Sequence, residues 1–327
     1  MSPTEALISH QLDISAAGLS LILLGAYLDL PFFKKFIVLE GKQLNGSYIK
    51  KFNDIYIVLF CFLFVTFART FLMDIIFVPL IKSRGVKNQI KINKFKEQAF
   101  MVCFYVVSWS VGFYLAYHSP YWLDSSQFWI GYPHLEISPG IKRFYLFQIG
   151  YWLQQMVYVQ IEVRRKDYLN MIVHHIITNM LMVISYYCNF TRMGHIILTL
   201  MDFSDIFLSL AKTLNYLKFP ILCDATFILF VLSWVPSRHI GFMALVWSIM
   251  VDPFKYNPDS IWDPANGVFY TETFRVLILT LLLSLQVLML VWFKMILIIL
   301  FRIIKGENLK DDRSSGDESS EDEKKEK

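Results

Sequence analysis

Apolar residues run through this chain in eight long stretches separated by polar connections, and stretches of this length read as helices rather than strands. The first spans about Ile14 to Phe33, with Asp29 and Pro31 interrupting its far end, and the second about Asp54 to Val78, closed by Pro79 because proline cannot continue the helical hydrogen-bond ladder. The third covers about Gln98 to Tyr117 and the fourth about Phe144 to Val163. The fifth and sixth, about Tyr168 to Cys188 and His195 to Tyr216, form a hairpin. The seventh, about Leu222 to Val251, is long enough to tilt or kink at Pro236, and the eighth runs from about Phe274 to Ile304. Runs of ~20 apolar residues match the hydrocarbon core of a bilayer. The pattern therefore predicts an all-α polytopic membrane protein with about eight transmembrane helices.

Charge orients the spans. Six basic residues between Ile81 and Lys96 (Lys82, Arg84, Lys87, Lys91, Lys94, Lys96) place that connection in the cytosol, as do Arg164, Arg165 and Lys166 after the fourth span. Asp167 then takes an N-cap position, Lys212 and Lys218 return the chain to the cytosol, and Lys294 and Arg302 snorkel at the end of the last span. Alternation puts both termini in the cytosol and four connections in the lumen: Lys34 to Phe52, His118 to Lys142, the hairpin tip, and Asp252 to Thr271. Met1 to Ser15 has no basic n-region, so the first helix is expected to stay in the mature chain. The sequon at Asn45 falls in a lumenal loop and is a glycosylation candidate, although five lysines in that loop oppose the charge rule. The sequon at Asn189 sits at the hairpin tip, too close to the bilayer for modification.

Composition agrees with this reading: 55% of residues are hydrophobic and only 18% are charged, against ~25% charged in soluble domains. From Gly306 onward nine acidic residues face five basic ones, so the tail is net −4 and the rest of the chain net +8. That positive charge belongs at the membrane face and implies no nucleic-acid partner. Residues 305–327 read as a disordered acidic cytosolic tail. Ser314, Ser315, Ser319 and Ser320 each have an acidic residue three positions on, which suits phosphorylation by an acid-directed kinase of the casein kinase 2 type or serves only solubility. The final Lys324-Lys325-Glu326-Lys327 has the form of a dilysine retrieval signal for the endoplasmic reticulum. The four cysteines lie in or beside apolar segments and read as packing residues.

The anomaly is the hairpin from Val173 to Tyr216, which carries His174, His175, Asp202 and Asp205 at membrane depth. An ionisable group there costs at least ~2.5 kcal/mol, so each is a functional candidate. On the sixth span His195, Thr199, Asp202, Asp205, Ser209 and Lys212 make one stripe; on the fifth, His174 or His175 aligns with Thr178, Met182 and Ser185; the fourth adds Gln148, Trp152, Gln155 and Glu162. Only a hydrated interior cavity satisfies so many groups. At ~1.5 Å per residue His174 lies ~10 Å and Asp205 ~16 Å from the cytosolic boundary, and a tilt of ~20° brings them level. An imidazole hydrogen-bonded to a carboxylate would then form a supported base. Adjacent histidines point ~100° apart, so one is expected to face the cavity and the other the packing. Other readings are a packed core histidine or a His/Asp metal site, the latter without HxxxH or ExxH spacing. Arg69, Asp74, Arg238 and His239 are further charges in the apolar spans. They either pair with one another or with the stripe aspartates, or hold the phosphate or carbonyl oxygen of an acyl donor.

These residues resemble a known family. His174-His175, Ser185-Tyr186, Asn189, Arg192-Met193-Gly194, Asp202-Phe203-Ser204-Asp205 and Leu208 to Tyr216 are similar to the longevity-assurance motif of ceramide synthases, within the TLC domain. The likeness extends to Phe67–Asp74, Tyr117–Leu123, Arg165–Tyr168 and Arg238-His239, and is nearest to the fungal type, since the short amino terminus has no homeobox-like insert. The resemblance implies a TLC-domain helix barrel enclosing a polar cavity over residues 54–304, preceded by an N-terminal span and lumenal loop at 1–53. It implies a multi-pass enzyme of the endoplasmic reticulum that transfers a fatty acyl group from acyl-CoA to the amine of a sphingoid base.

The family's functional core maps onto His174, His175, Asp202 and Asp205, with Arg192, Lys212, Arg238, His239, Trp152 and Gln155 as substrate-binding candidates. Histidine either removes the amine proton or, the route favoured here, takes the acyl group itself. Membrane lipid, a small single-span accessory subunit and a homo- or heterodimer are the partners the likeness suggests; no metal and no cofactor beyond acyl-CoA are expected. The alternative class is a non-enzymatic TLC lipid sensor or translocon-associated protein, whose members generally lack the full His-His and Asp-x-x-Asp set. An ion-coupled transporter would favour an internal repeat with broken helices, and the sequence has none.

Overall fold

The computed structural model describes residues 10–161, 167–258 and 262–305. Glu162, Arg164, Arg165 and Lys166, the tail serines Ser314, Ser315, Ser319 and Ser320, and the dilysine pair Lys324 and Lys325 lie outside the described residues. Each of the eight predicted stretches forms a helix: α1 (Gln11–Tyr27), α2 (Asp54–Ser83), α3 (Gln89–Tyr117), α4 (Pro139–Ile161), α5 (Tyr168–Tyr187), α6 (Thr191–Tyr216), α7 (Pro220–Tyr256) and α8 (Glu272–Ile304). Six of them, α2, α3 and α5 to α8, are long and apolar enough to cross a membrane by themselves. The protein is a multi-pass membrane protein. Helix α1 has 17 residues and falls short in length, whereas α4, with 23, is long enough but too polar. Its glutamines explain this, because Gln148, Gln154 and Gln155 are buried against other helices rather than lipid. A helix surrounded by protein has no need of an apolar surface.

The end of α2 and the start of α3 differ from the sequence reading. Helix α2 continues through Pro79 to Ser83, because a π turn at Leu72–Phe77 just before the proline changes the hydrogen-bond register that Pro79 would otherwise break. A second π turn, Val235–Gly241, carries Pro236 through the middle of α7. Helix α3 starts nine residues early, capped by the Asn88 side chain accepting from the amides of Ile90 and Lys91. Lys91, Lys94 and Lys96 therefore stand on its first turns rather than in a loop.

Seven helices close a ring in the order α2, α3, α6, α7, α8, α5, α4, each packed on the next, with α1 outside against α2. Contacts of α6 with α4 and α5 cross the ring. Helix α4 approaches α2 closely at Gly150, where any Cβ would lie 2.6 Å from that of Cys61 and 3.0 Å from the Val58 carbonyl oxygen.

The four connections that alternation assigns to one side do meet at one end. Tyr48–Ile49 and Glu136–Ile137 pair as short antiparallel strands, with Tyr48 opposite Ile137. The Lys50 amine donates to the His134 carbonyl (3.0 Å) and to the Asn189 side chain, and Asn189 in turn donates to the Gly267 carbonyl (2.8 Å). Beneath them Lys142, fully buried at the start of α4, pairs with Asp54 at 2.8 Å and donates to the carbonyls of Glu40 and Ile49. Asp54 also accepts from the Tyr186 hydroxyl at 2.8 Å. One of the five lysines that opposed the charge rule, Lys50, is thus consumed inside the fold.

Burial lowers the Lys50 amine to about 7, from 10.5. Between those values the unfolded chain holds more protons than the folded one, so this group makes stability rise with pH across that window, and its cost is complete below it. Substitution Lys50→Met removes this dependence together with two hydrogen bonds, so the melting midpoint of the variant relative to the parent is expected to be more favourable at pH 7 than at pH 9.5. Equal differences at the two pH values would contradict this.

Candidate active site

Two cavities occupy the ring and share a wall. The first, about 1110 Å³ with the open space at its mouth included, lies among α5, α6, α7 and α8 and is almost wholly apolar, with Leu181, Met182, Leu198, Met201, Leu282 and Leu285 along its sides. Trp129, Phe190 and Tyr270 from the connections close its far end. These are held in place: the Trp129 indole N–H donates to the Ser248 hydroxyl at 3.0 Å, and Asn257 donates to the Trp129 carbonyl at 2.7 Å. The second cavity, about 1260 Å³ by the same measure, is more polar and runs toward the opposite end of the ring, past Gln98, Gln155, Tyr158, Ser209 and Lys212 to Asp167. Trp152, His174, Asp205 and Arg238 line both. Those four side chains form the partition between an apolar and a polar chamber.

Helical geometry places them there. On α5, His174, Thr178, Leu181, Met182 and Ser185 stand at spacings of three, four and seven and face the apolar cavity together. The His174 ring lies between two indoles, with centroids 5.6 Å from Trp152 and 5.3 Å from Trp292. His175 lines only the polar cavity and is 4% exposed. Nδ1 of both rings is buried without a protein hydrogen-bond partner.

The expected hydrogen bond between imidazole and carboxylate is not formed, because both aspartates have other partners. Arg238 donates to Asp205 at 2.6 Å, to the Met201 carbonyl at 3.2 Å and, through Nε, to the Ser204 hydroxyl at 3.0 Å, so one guanidinium clasps the Met201–Asp205 turn. Its carbon also stands 4.4 Å over the Trp234 ring. A cation inside a membrane protein needs an anion, and Asp205 on the facing helix supplies it more strongly than a neutral ring could. Asp202 Oδ2 accepts from the Ser108 hydroxyl at 2.5 Å, and Gln148 donates to Ser108 at 2.6 Å and to Asp202 at 3.4 Å. Each aspartate therefore has one oxygen tied and the other left toward the cavity it lines.

Of the other candidates, Trp152, Gln155 and Lys212 line the polar cavity. Arg192 and His239 line neither cavity. Arg192 donates to the Gln127 carbonyl (2.5 Å) and lies over Tyr121, fastening the connection between α3 and α4. His239 is bonded to the Trp234 indole (3.2 Å) and to Gln286 (2.8 Å) on α8. His195 leaves the predicted stripe: Gly112 O accepts from Nε2 (3.0 Å), which makes Nδ1 the acceptor for the Tyr121 hydroxyl (3.0 Å). Asp74 pairs with Lys96 at 2.7 Å, and the Arg69 guanidinium lies 3.1 Å from the centre of the Tyr158 ring. Among the described residues no group of three His, Cys, Asp or Glu side chains is placed to hold a metal. Sequence reasoning missed α3. Met101, Tyr105 and Ser108 stand at spacings of four and seven on its inner face, a weak stripe that was legible.

Residues 94–298 match the TLC domain family, and every side chain lining either cavity falls in that range. The chain is similar to a sphingosine N-acyltransferase of Schizosaccharomyces pombe, 36% identical over 293 residues that make up 90% of this chain and 75% of the relative. This chain belongs to the TLC-domain family, in its sphingosine N-acyltransferase branch. A ceramide synthase of Gibberella moniliformis is 34% identical over 89% of this chain and 74% of its own length, and one of Saccharomyces cerevisiae 36% identical over 86% and 70%. The TLC-domain match leaves out α1 and α2, and neither helix lines a cavity.

Proposed function

We propose that this protein is a sphingoid base N-acyltransferase that moves a fatty acyl group from acyl-CoA to the amine of a sphingoid base and so makes ceramide. The observation that carries the reading is the partition: His174 and Asp205 stand where an apolar chamber meets a polar one. A fatty acyl thioester has the same two-part character. Its hydrocarbon chain fits the apolar cavity, its polar carrier fits the other, where Lys212 faces it, and its carbonyl then lies at His174.

The chemistry follows from the groups present. A neutral imidazole nitrogen of His174 attacks the thioester carbonyl; the N–C bond forms, the C–S bond breaks, and CoA leaves as thiolate. The amine of the base then attacks the acyl-imidazole carbon and the imidazole departs. The two aspartates attract the incoming ammonium, which gives one proton to the departing CoA thiolate to become the attacking amine; the second proton, lost on acylation, passes to a carboxylate oxygen not held by Arg238 or Ser108. The alternative, in which His174 only removes the amine proton, uses the same residues. Purified protein assayed against a panel of acyl-CoA chain lengths and sphingoid bases tests the proposal; folded protein that yields N-acyl product from none of them would sink it.

The proposal includes location. The polar cavity faces the cytosol, where acyl-CoA is found, both termini are cytosolic, and the connected loops at the other end lie in the lumen of the endoplasmic reticulum. Asn45 is exposed at that end, whereas Asn189 is 4% exposed and bonded to Lys50 and Gly267. A glycosidase-sensitive gel shift that Asn45→Gln removes is expected; one removed by Asn189→Gln instead would keep this end lumenal but overturn the choice of Asn45 as the modified site.

A further inference from the structure

We infer that Thr178 marks a hydroxyl-binding subsite at the partition end of the apolar cavity, which reads a hydroxyl adjacent to the acylated amine of the acceptor. The inference rests on the transferase reading above. Thr178 is nine-tenths buried, lines the apolar cavity, and its hydroxyl has no hydrogen-bond partner. Thr191, at the first residue of α6, is also unpaired but lines neither cavity; threonines farther inside helices behave otherwise. Thr66, Thr70, Thr199, Thr213 and Thr226 each donate to the carbonyl four residues back. Thr178 does not take the corresponding bond to His174, and a buried hydroxyl left unpaired is unfavourable enough to need a reason.

Its surroundings supply one. Thr178 lies one turn beyond His174, ~6 Å along the helix at ~1.5 Å per residue. Asp202 lines the same cavity with only Oδ2 engaged, by Ser108 and Gln148, so Oδ1 is a second polar atom without a partner. Farther along, Tyr145 and Ser185 satisfy each other at 2.5 Å and Ser185 also donates to Met182 O, so that pair has no such need. A plain hydrocarbon chain would leave Thr178 and Asp202 Oδ1 unpaired among Leu181, Met182 and Met201. A sphingoid base carries hydroxyls on the carbons flanking its amine, and with the amine at His174 those hydroxyls donate to the carboxylate and exchange a hydrogen bond with Thr178. A 2-hydroxyacyl donor would present the same chemistry from the other substrate.

Thr178→Val, nearly isosteric, separates these cases. Initial rates are measured with sphinganine, with its analogues lacking the 1-hydroxyl or the 3-hydroxyl, and with plain and 2-hydroxylated acyl-CoA. The variant is expected to lower kcat/KM for sphinganine by about five- to tenfold, the scale of one buried hydrogen bond, to leave at least one deoxy analogue unchanged, and to be rescued by Thr178→Ser. A loss confined to the 2-hydroxyacyl donor keeps the subsite and overturns its assignment to the acceptor. Equal losses for all substrates, or none, overturn the subsite. Should wild-type protein make no N-acyl product, the transferase reading fails, and melting shifts with sphinganine and its 1-deoxy and 3-deoxy analogues decide the subsite. A larger shift with sphinganine than with a deoxy analogue, erased in Thr178→Val, supports it, and equal shifts overturn it.

Discussion

Alanine in place of His174 is expected to lower ceramide formation by about a hundred- to ten-thousandfold, the range associated with a lost general base, and by more if the ring carries the acyl group. The melting midpoint should fall less than with His175→Ala, because the His174 ring borders both cavities and is only partly buried. His175→Ala is expected to cost less activity, roughly tenfold, and more stability, since that ring lines only the polar cavity and is the more buried of the two, 4% exposed. The two histidines are adjacent, so composition and hydrophobicity are matched and only placement differs. Equal kinetic defects, or a larger one at His175, would mean that the partition has been assigned to the wrong ring.

The largest effect on stability is expected far from that site, at Lys142. Its side chain is fully buried and pairs with Asp54, which is itself 1% exposed. Replacing Lys142 with methionine leaves an uncompensated carboxylate, and breaking a buried pair in this way costs about 3–5 kcal/mol. The double variant Lys142→Met with Asp54→Leu should recover most of the loss, because an apolar pair of similar volume removes both desolvated charges. Thermal unfolding in detergent, followed for both single variants and the double, measures the coupling. If the double variant is no more stable than Lys142→Met, the surrounding carbonyls and Tyr186, rather than the ion pair, hold this end of the ring together.

Much of the architecture was legible because lipid imposes a strong rule on sequence. The six helices long and apolar enough to span a membrane announce themselves by length and hydropathy, and the charged hairpin of α5 and α6 stood out against it. Helix α4 was placed correctly only approximately, since its glutamines face protein and hydropathy reports lipid exposure. The prolines misled at α2, where a π turn absorbs Pro79. At the site, periodicity brought Asp202, Asp205, Ser209 and Lys212 toward the cavities but could not separate them from His195 and Thr199, whose packing against Gly112 of α3 decides their direction. The pairing of Asp205 with Arg238 crosses 33 residues and two helices, and no local pattern chooses it over a histidine. The shared wall of two chambers is a tertiary property that spacing along single helices does not contain.

Intact mass of the purified protein after incubation with acyl-CoA alone tests the central claim most directly. The account predicts an increase equal to one fatty acyl group, absent in His174→Ala, retained in His175→Ala, and discharged as ceramide when a sphingoid base is added. An adduct that persists in His174→Ala, or an active wild-type enzyme that gains no mass even when acyl-CoA is trapped early in turnover, would contradict it.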